Sequence, residues 1–408
     1  MICPKSKISG EGLEMKKTRI IEGVMKMRFE EVYGRYQKKR LTTYEAAELL
    51  GMSARTFLRK RDRYEEEDFE GNFDLRLGKR SPKRAEEEEI KRITDLYAEV
   101  YRGFNVKHFH EYACREHGLK YGYTWTKRQL EKAGYIRKSK RGGDHRLRRE
   151  RRPMEGMMIH QDGSTHEWIM GLGHLDLIVT MDDATSKITS AFLMEQEGTE
   201  STFLGLKETI ERYGLFCSLY TDRGSHYWYT PEAGGKVDKH QVTQVGRALK
   251  QLGIQHIAAY SPQARGRSER MFGTLQDRLP KEFVLEGIRT IEEANRYLKE
   301  VYLPRHNQQF TVKAAEEKTA YIPWVGEALK EVLSIHEERQ VQNDNTVSYK
   351  GMRLQIPKDD LRHHYVRTTV EIHEYPDRTL GLFYGHRCLG RYNTKGLLIE
   401  ESGLCKVA

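Results

Sequence analysis

No segment constrains this chain more than IRKSKRGGDHRLRRERR, residues 136–152, because nothing of that composition can enter a hydrophobic core. It holds nine Lys or Arg (137, 138, 140, 141, 146, 148, 149, 151 and 152) against Asp144 and Glu150, a net charge of +7 around a Gly-Gly pair. That composition predicts a flexible basic linker over 136–153 and divides the chain. Beside phosphates, each neutralised charge in it would release counterions. The 408 residues are enough for two to four domains of about 100–200 residues each. A hydrophobic content of 38% against 32% charged fits several small domains rather than one large core. Lys and Arg number 70 against 60 Asp and Glu, and the net charge of +10 favours a polyanionic partner over an acidic small molecule.

Five scattered cysteines without a C-x-x-C pair argue against a disulfide framework or a four-cysteine zinc site, and for a reducing compartment. No stretch supplies the roughly 18 apolar residues of a membrane span, and MICPKSKISG lacks a signal-peptide core. The expectation is a cytoplasmic protein without membrane partners. Residues 1–14 show no periodic pattern and are expected to be disordered, within an N-terminal extension 1–40.

Two helical units precede the linker. In LTTYEAAELLGMSARTFLRKRDRY (41–64), Thr42-x-x-Glu45 forms a capping box, Gly51 marks a turn, and Ser53 caps a second helix. That helix presents Arg55, Arg59, Lys60 and Arg63 and buries Phe57 and Leu58, the layout with which the second helix of a helix-turn-helix meets a major groove. The unit is bounded as 41–75. A second, helix-turn-helix-like unit over 81–135 opens at Ser81-Pro82 and runs through FNVKHFHEYACREHGL to YTWTKRQLEKAGY, with Lys127 and Arg128 as candidate DNA contacts. His110, Cys114 and His117 share one helix face there, but a single helix does not close a zinc tetrahedron.

From about 154 the texture changes to strands. MMIHQDGSTHEWI and LDLIVTMDDATSKITSAFLM predict strands with a hairpin at Asp182-Asp183-Ala184, where Asp is ordinary turn chemistry. TFLGLKETIERYG, FCSLYTD, VGRALKQLG, IQHIAAY and SERMFGTLQDRL continue a mixed β-hairpin and β-α-β series, an α/β domain over 154–283. A helical connector over 284–345 and a small β-barrel over 346–403 complete the expectation.

Three acids fall at element ends in the central domain. Asp162 follows the strand MMIHQ, Asp222 follows FCSLYT, and Glu269 lies in the first turn of the helix after SPQARGRS. Strand tips and a facing helix can bring three carboxylates to divalent metal. Phosphodiester chemistry needs such a cage, with two Mg²⁺ about 3.5–4 Å apart. Unrelated turn and surface acids have the same spacing, so spacing alone does not decide. Arg265, Arg267 and Arg270 surround Glu269 as candidate phosphate contacts, with Arg137, Lys138, Lys140, Arg141, Arg148 and Arg149 of the linker.

The motifs IHQDGSTHEW (159–168), TDRGSHY (221–227) and YSPQARGRSERMFGTLQDRL (260–279), with Pro262, Gly266 and Glu269 in the last, resemble those of the DDE transposases of bacterial insertion sequences with a retroviral-integrase-like core, most closely the ISNCY type. The resemblance extends over roughly residues 40–340. It implies an RNase H-like fold in which Asp162, Asp222 and Glu269 bind two Mg²⁺, with Mn²⁺ able to substitute, and Asp162 bridges both ions. It further implies a mobile loop at 262–268, double-stranded DNA partners (element ends and target) and a homo-oligomer on paired ends. The implied activity is cleavage followed by transfer of the 3′-OH into target DNA. A nuclease without strand transfer and a repressor with an inactive core are the alternatives. Two departures stand out: no N-terminal His/Cys zinc domain is found, and the second gap is lengthened by residues 227–241. In that insertion Tyr227, Trp228 and Tyr229 either stack on an unpaired base or cover a core edge.

Overall fold

The computed structural model describes residues 10–67, 85–137, 150–231, 235–238, 240–260, 266–326, 329–358 and 360–401. Ser81 and Pro82, linker residues Lys138, Lys140, Arg141, Arg148 and Arg149, and loop residues Pro262 and Arg265 lie outside them. The chain forms two compact units, Met1–Lys91 and Arg92–Ala408.

Among the described residues the first unit contains α1 (Gly10–Gln37), α2 (Thr43–Leu49) and α3 (Ala54–Glu67). Thr42 caps α2 as its sequence predicts: its hydroxyl accepts from Glu45 N–H, and its own N–H donates to the Glu45 carboxylate at 2.7 Å. Gly51 turns the chain at φ +64°, and the Ser53 hydroxyl accepts from Thr56 N–H. Ala46 and Ala47 let α2 lie close against Phe29, Val32, Tyr33 and Phe57. Helix α1 corrects the expected disorder over residues 10–14. Phe29, Val32, Tyr33 and Tyr36 recur at i, i+3, i+4 and i+7, an apolar stripe half hidden among charged neighbours.

The second unit begins within α4 (Glu87–Glu99) and continues with α5 (Val106–His117) and α6 (Tyr123–Lys132), packed on Ile93, Tyr97, Phe109, Ala113 and Leu130. Asn105 caps α5 through His108 N–H, and Gly118 ends it at φ +63°. Next come β1 (Ile159–His166), β2 (Leu175–Asp182), β3 (Ile188–Met194), α7 (Thr199–Tyr213), β4 (Ser218–Thr221), α8 (Gln244–Gln251) and β5 (Gln255–Ala258). The sheet order is β3-β2-β1-β4-β5, antiparallel from β1 to β3 and parallel from β1 to β5. Parallel neighbours need crossovers, and α7 and α8 provide them on one face, where Phe203, Leu206, Ile210, Val245 and Leu249 cover Ile159 and Leu219. Gly205 permits the close approach of α7, since a Cβ there would stand 2.4 Å from Gln161 Nε2.

The opposite face is covered by α9 (Gly266–Leu285), α10 (Ile291–Tyr297), a π-helical turn (Leu298–Tyr302) and α11 (Leu303–Phe310). Met271, Phe272, Leu275 and Leu279 of α9 pack there on Leu177, Val179 and Met181. α10 and α11 therefore form a layer of the core itself. α5 docks on α9 through a buried His108–Glu282 pair at 2.8 Å and Arg278–Glu111 at 2.7 Å.

After α12 (Leu329–Val332) come β6 (Ile335–Gln340), β7 (Thr346–Tyr349), β8 (Met352–Gln355), β9 (Thr369–Glu374), β10 (Leu380–Tyr384), β11 (Arg387–Tyr392) and β12 (Leu398–Glu401). They make an antiparallel sheet β12-β11-β10-β9-β6 and a separate hairpin β7-β8 around Val347, Tyr349, Leu354, Ile372, Leu382 and Tyr392. The expected barrel is corrected: β6 and β12 remain edges, and the hairpin pairs only with itself among the described residues. Strand pairing begins at Ile335, within the stretch read as helical, because the charges of IHEERQ suit an edge strand and mask its alternation. No helix among the described residues is long and apolar enough to cross a membrane.

Leu206 is fully buried between α7 and the sheet. Leu206→Ala is expected to cost about 2–5 kcal/mol. Tyr229→Ala, at an exposed ring, should stay within about 0.5 kcal/mol. Urea unfolding of both variants reads the difference.

Candidate active site

Asp162 lies inside β1 and is buried. The parallel pairing of β1 with β4 sets Ile159 against Leu219 and His160 against Tyr220. Two residues beyond the last pair stand Asp162 on β1 and Asp222, the first residue past β4. The Asp222 Oδ1 accepts the Gly224 N–H at 2.8 Å, so the turn chemistry of Asp-x-Gly is present and orients the carboxylate.

Glu269 stands in the first turn of α9 and is exposed. Two contacts align α9 with β1: Arg267 pairs with Asp183, which His160 also meets, and Gln276 Nε2 donates to Ser164 Oγ at 3.0 Å. Glu269 precedes Gln276 by seven residues and so shares its face of α9, and it is exposed there. The donors are hard carboxylate oxygens of the kind Mg²⁺ takes. Among the described residues, however, only His336, Glu371 and His373 gather three potential ligand atoms within 4.8 Å. Asp162, Asp222 and Glu269 are not drawn together that tightly.

A further acid, Glu197, joins this end of the sheet. Its carboxylate lies against Gly163, where a Cβ would stand 2.3 Å from Glu197 Oε2, and its Oε1 is 3.6 Å from His226 Nε2. Tyr227 is buried behind the group, with its hydroxyl donating to Gln161 Oε1 at 3.3 Å. Burial, then the negative charges of Glu197, Asp162 and Asp222, push the Tyr227 hydroxyl well above its usual range. Three carboxylates thus act on one ring. The sequence reading missed Glu197, whose only signal was an acid and a glycine between a strand and a helix. Tyr227 and Trp228 cover the core edge, and Trp228 stacks on His256 at 3.8 Å; Tyr229 is exposed. Burial and His226 hold His256 down to about 3.

Asp182 and Asp183 are wholly buried. Asp182 accepts from Gly156 N–H, Thr185 N–H and the Thr185 hydroxyl. Asp183 accepts from Arg152 N–H at 2.8 Å, meets His160 Nε2 at 2.7 Å and pairs with Arg267. Burial raises the Asp183 carboxyl, but the His160 hydrogen bond, the Arg152 N–H and the Arg267 charge together hold it well below the usual carboxylate range. Arg267, a candidate phosphate contact by sequence, is engaged in this buried pair.

Arg55, Arg59 and Arg63 are exposed at i, i+4 and i+8 of α3, and Lys60 is half-buried. Lys127 lies 4.0 Å from Glu131 on α6; Arg128 and Arg137 are exposed. Arg270 is exposed, with its Nε donating to Gly266 O at 2.9 Å. His117, one of the three metal-ligating types on α5, lies 2.9 Å from the Tyr101 hydroxyl.

No family model matches the chain. It is 29% identical over 362 residues to "Putative transposase y4bF" of Sinorhizobium fredii, covering 87% of this chain and 78% of that protein. It is 29% identical over 363 residues to "Transposase for insertion sequence IS1202" of Streptococcus pneumoniae, covering 79% and 76%. Weak superpositions link it to a chain of the simian T-cell lymphotropic virus intasome in complex with PP2A regulatory subunit B56 gamma (TM-score 0.35, 14% identity, 77% of this chain and 99% of that one). The HTLV-2 integrase catalytic core domain in complex with magnesium gives a TM-score of 0.26 at 16% identity, over 36% of this chain and 89% of that one. Over most of its length the chain is a relative of insertion-sequence transposases, as its motifs suggested.

A carboxyl held below its unfolded value of about 3.9 stabilises the fold fully above that pH and progressively less as pH falls below it. Asp183→Asn is expected to cost about 3–5 kcal/mol near neutrality and to flatten the loss of stability between about pH 4 and pH 2. Denaturant unfolding across that pH range checks both.

Proposed function

We propose that this relative of insertion-sequence transposases is itself a transposase, which binds the terminal inverted repeats of its element and catalyses DNA cleavage followed by 3′-OH strand transfer into target DNA. The observation that supports the reading is the parallel β1–β4 register, which pairs Ile159 with Leu219 and His160 with Tyr220 two residues before Asp162 and Asp222, with Glu269 in the first turn of α9. The central unit is on this reading an RNase H-like core. Asp162, Asp222 and Glu269 would hold two Mg²⁺, or Mn²⁺ in their place. Bound there, the ions would supply activation of the attacking oxygen and stabilisation of the leaving one.

The chain's own groups do the rest. The Gly224 N–H fixes the rotamer of Asp222, and Gly163 admits Glu197 beside Asp162. Arg270, next to Glu269, would hold a phosphate, as would Arg265. Lys127, Arg128, Arg137 and the linker cations would follow the DNA backbone, while Arg55, Arg59, Lys60 and Arg63 would meet the groove and its phosphates. The protein would act in the cytoplasm, as a homo-oligomer on paired ends.

Purified protein incubated with DNA bearing the element's ends and Mg²⁺ should yield joined products. Asp222→Asn should bind the same DNA with unchanged affinity and cleave it at least about a hundredfold more slowly. Unchanged cleavage would remove Asp222 from the site. Hydrolysed ends without joining would leave a nuclease, and binding without chemistry a repressor.

A further inference from the structure

We propose that the C-terminal sheet carries a second metal site, built from His336, His373 and Glu371 for a zinc-like divalent ion. His336 on β6 stands opposite His373 on β9, and Glu371 lies two residues before His373, so all three project from one sheet face. One potential ligand atom from each lies within 4.8 Å of the others. The two imidazoles stack at 3.6 Å, and Phe383 stacks on His373 at 4.1 Å, which fixes the ring planes.

The hydrogen count carries the argument. His336 Nε2 lies 2.8 Å from the Glu331 carbonyl oxygen, which only accepts. It also lies 3.1 Å from Ser334 Oγ, whose own hydrogen goes to that carbonyl. Nε2 therefore bears the hydrogen, and Nδ1 of the neutral ring bears a lone pair. His373 Nδ1 lies 3.1 Å from Glu331 Oε2, a carboxylate that also accepts from the Tyr375 hydroxyl and from Arg391, so this nitrogen is the donor of its ring. The two remaining nitrogens, His336 Nδ1 and His373 Nε2, turn to Glu371, at 3.1 Å from Oε1 and 3.3 Å from Oε2. Two lone pairs thus face an ionised carboxylate, which has no hydrogen to give. A divalent cation among them converts both repulsions into bonds. Two extra protons would do so only by stacking two imidazolium charges 3.6 Å apart, near Arg247, which donates to the Val332 and Ser334 carbonyls.

The surroundings match a built centre. A metal-bound histidine characteristically donates its other ring N–H to a carboxylate or carbonyl, and Glu331 supplies both. His336 Nδ1 lies 3.1 Å from Oε1 and His373 Nε2 lies 3.3 Å from Oε2, each close to the edge of a tetrahedron with metal–ligand bonds of about 2.0–2.1 Å, and one of the two oxygens would be the ligand. Two imidazoles and a carboxylate, with water in the fourth position, suit Zn²⁺, whereas Mg²⁺ takes oxygen donors. The two imidazole side chains are each 8% exposed, while that of Glu371 is 41% exposed and leaves a path for entry. The ion would tie β6 to β9, independently of the chemistry at the central sheet.

The test uses the full chain, stripped by chelator and dialysed, then titrated with Zn²⁺, Co²⁺ or Mg²⁺ and followed by calorimetry, visible Co²⁺ absorption and thermal unfolding. One Zn²⁺ per chain should bind, Co²⁺ should acquire the absorption of a tetrahedral site, Tm should rise, and excess Mg²⁺ should not displace the ion. Glu371→Gln, at the exposed ligand, should weaken Zn²⁺ by at least about tenfold with the fold intact, and His336→Ala with His373→Ala should abolish the bound equivalent. Should the double variant not fold, Glu371→Gln decides alone. No retained Zn²⁺, or the same affinity in Glu371→Gln, would overturn the proposal.

Discussion

The parallel pairing of β1 with β4 is the constraint on which the central unit depends. A parallel neighbour cannot follow through a tight turn, so the chain must cross over through α7, and again through α8 before β5. Those crossovers cover one face, α9 to α11 cover the other, and both faces become apolar. What remains for polar chemistry is the end of the sheet where β4 stops while β1 runs on. Asp162 lies on β1 at that end, Asp222 follows β4 there, and Glu197 lies against Gly163, which has no side chain.

The β2–β3 hairpin solves a different problem with the same residue type. Asp182 and Asp183 were legible as turn residues but not as buried ones, since a sequence does not say what closes over a turn. Asp182 answers three donors, and Asp183 gathers Arg152 N–H, His160 and Arg267 into one buried knot. That knot pins the start of α9 to the sheet. A buried charge of this kind is costly to break, and here it sets the helix whose first turn carries Glu269.

Legibility followed the strength of local pattern. The capping box at Thr42, the helix after Ser53, the hairpin and the alternating β-α order of the central unit were readable because caps and periodicity are local. Helix α1 was overlooked because its apolar stripe at Phe29, Val32, Tyr33 and Tyr36 is narrow and heavily flanked by charge. β6 escaped because an edge strand carries Glu and Arg where a central one carries apolar residues. Sheet closure was beyond sequence altogether, since whether β6 and β12 meet depends on twist and tilt summed over every intervening strand. Glu197 and the His336–Glu371–His373 group were missed for one reason: each is assembled from elements distant in the chain or across a strand pair, with no spacing of its own.

Donor chemistry separates the two polar centres of the larger unit. The end of the central sheet offers carboxylates and, through Gly224 and Gln161, hydrogen-bonding groups that orient or back them. The C-terminal sheet offers nitrogen donors whose tautomers are fixed by Glu331. On the two proposals, a hard, strongly hydrated ion would be favoured at the first and a borderline one at the second. Because ligand type rather than raw affinity then sorts the ions, one chain can keep an exchangeable ion for chemistry and a more tightly held one for structure. The segregation is geometric in origin: β4 stops just before Asp222 while β1 runs on past Asp162, whereas antiparallel neighbours place two histidines face to face across a ladder.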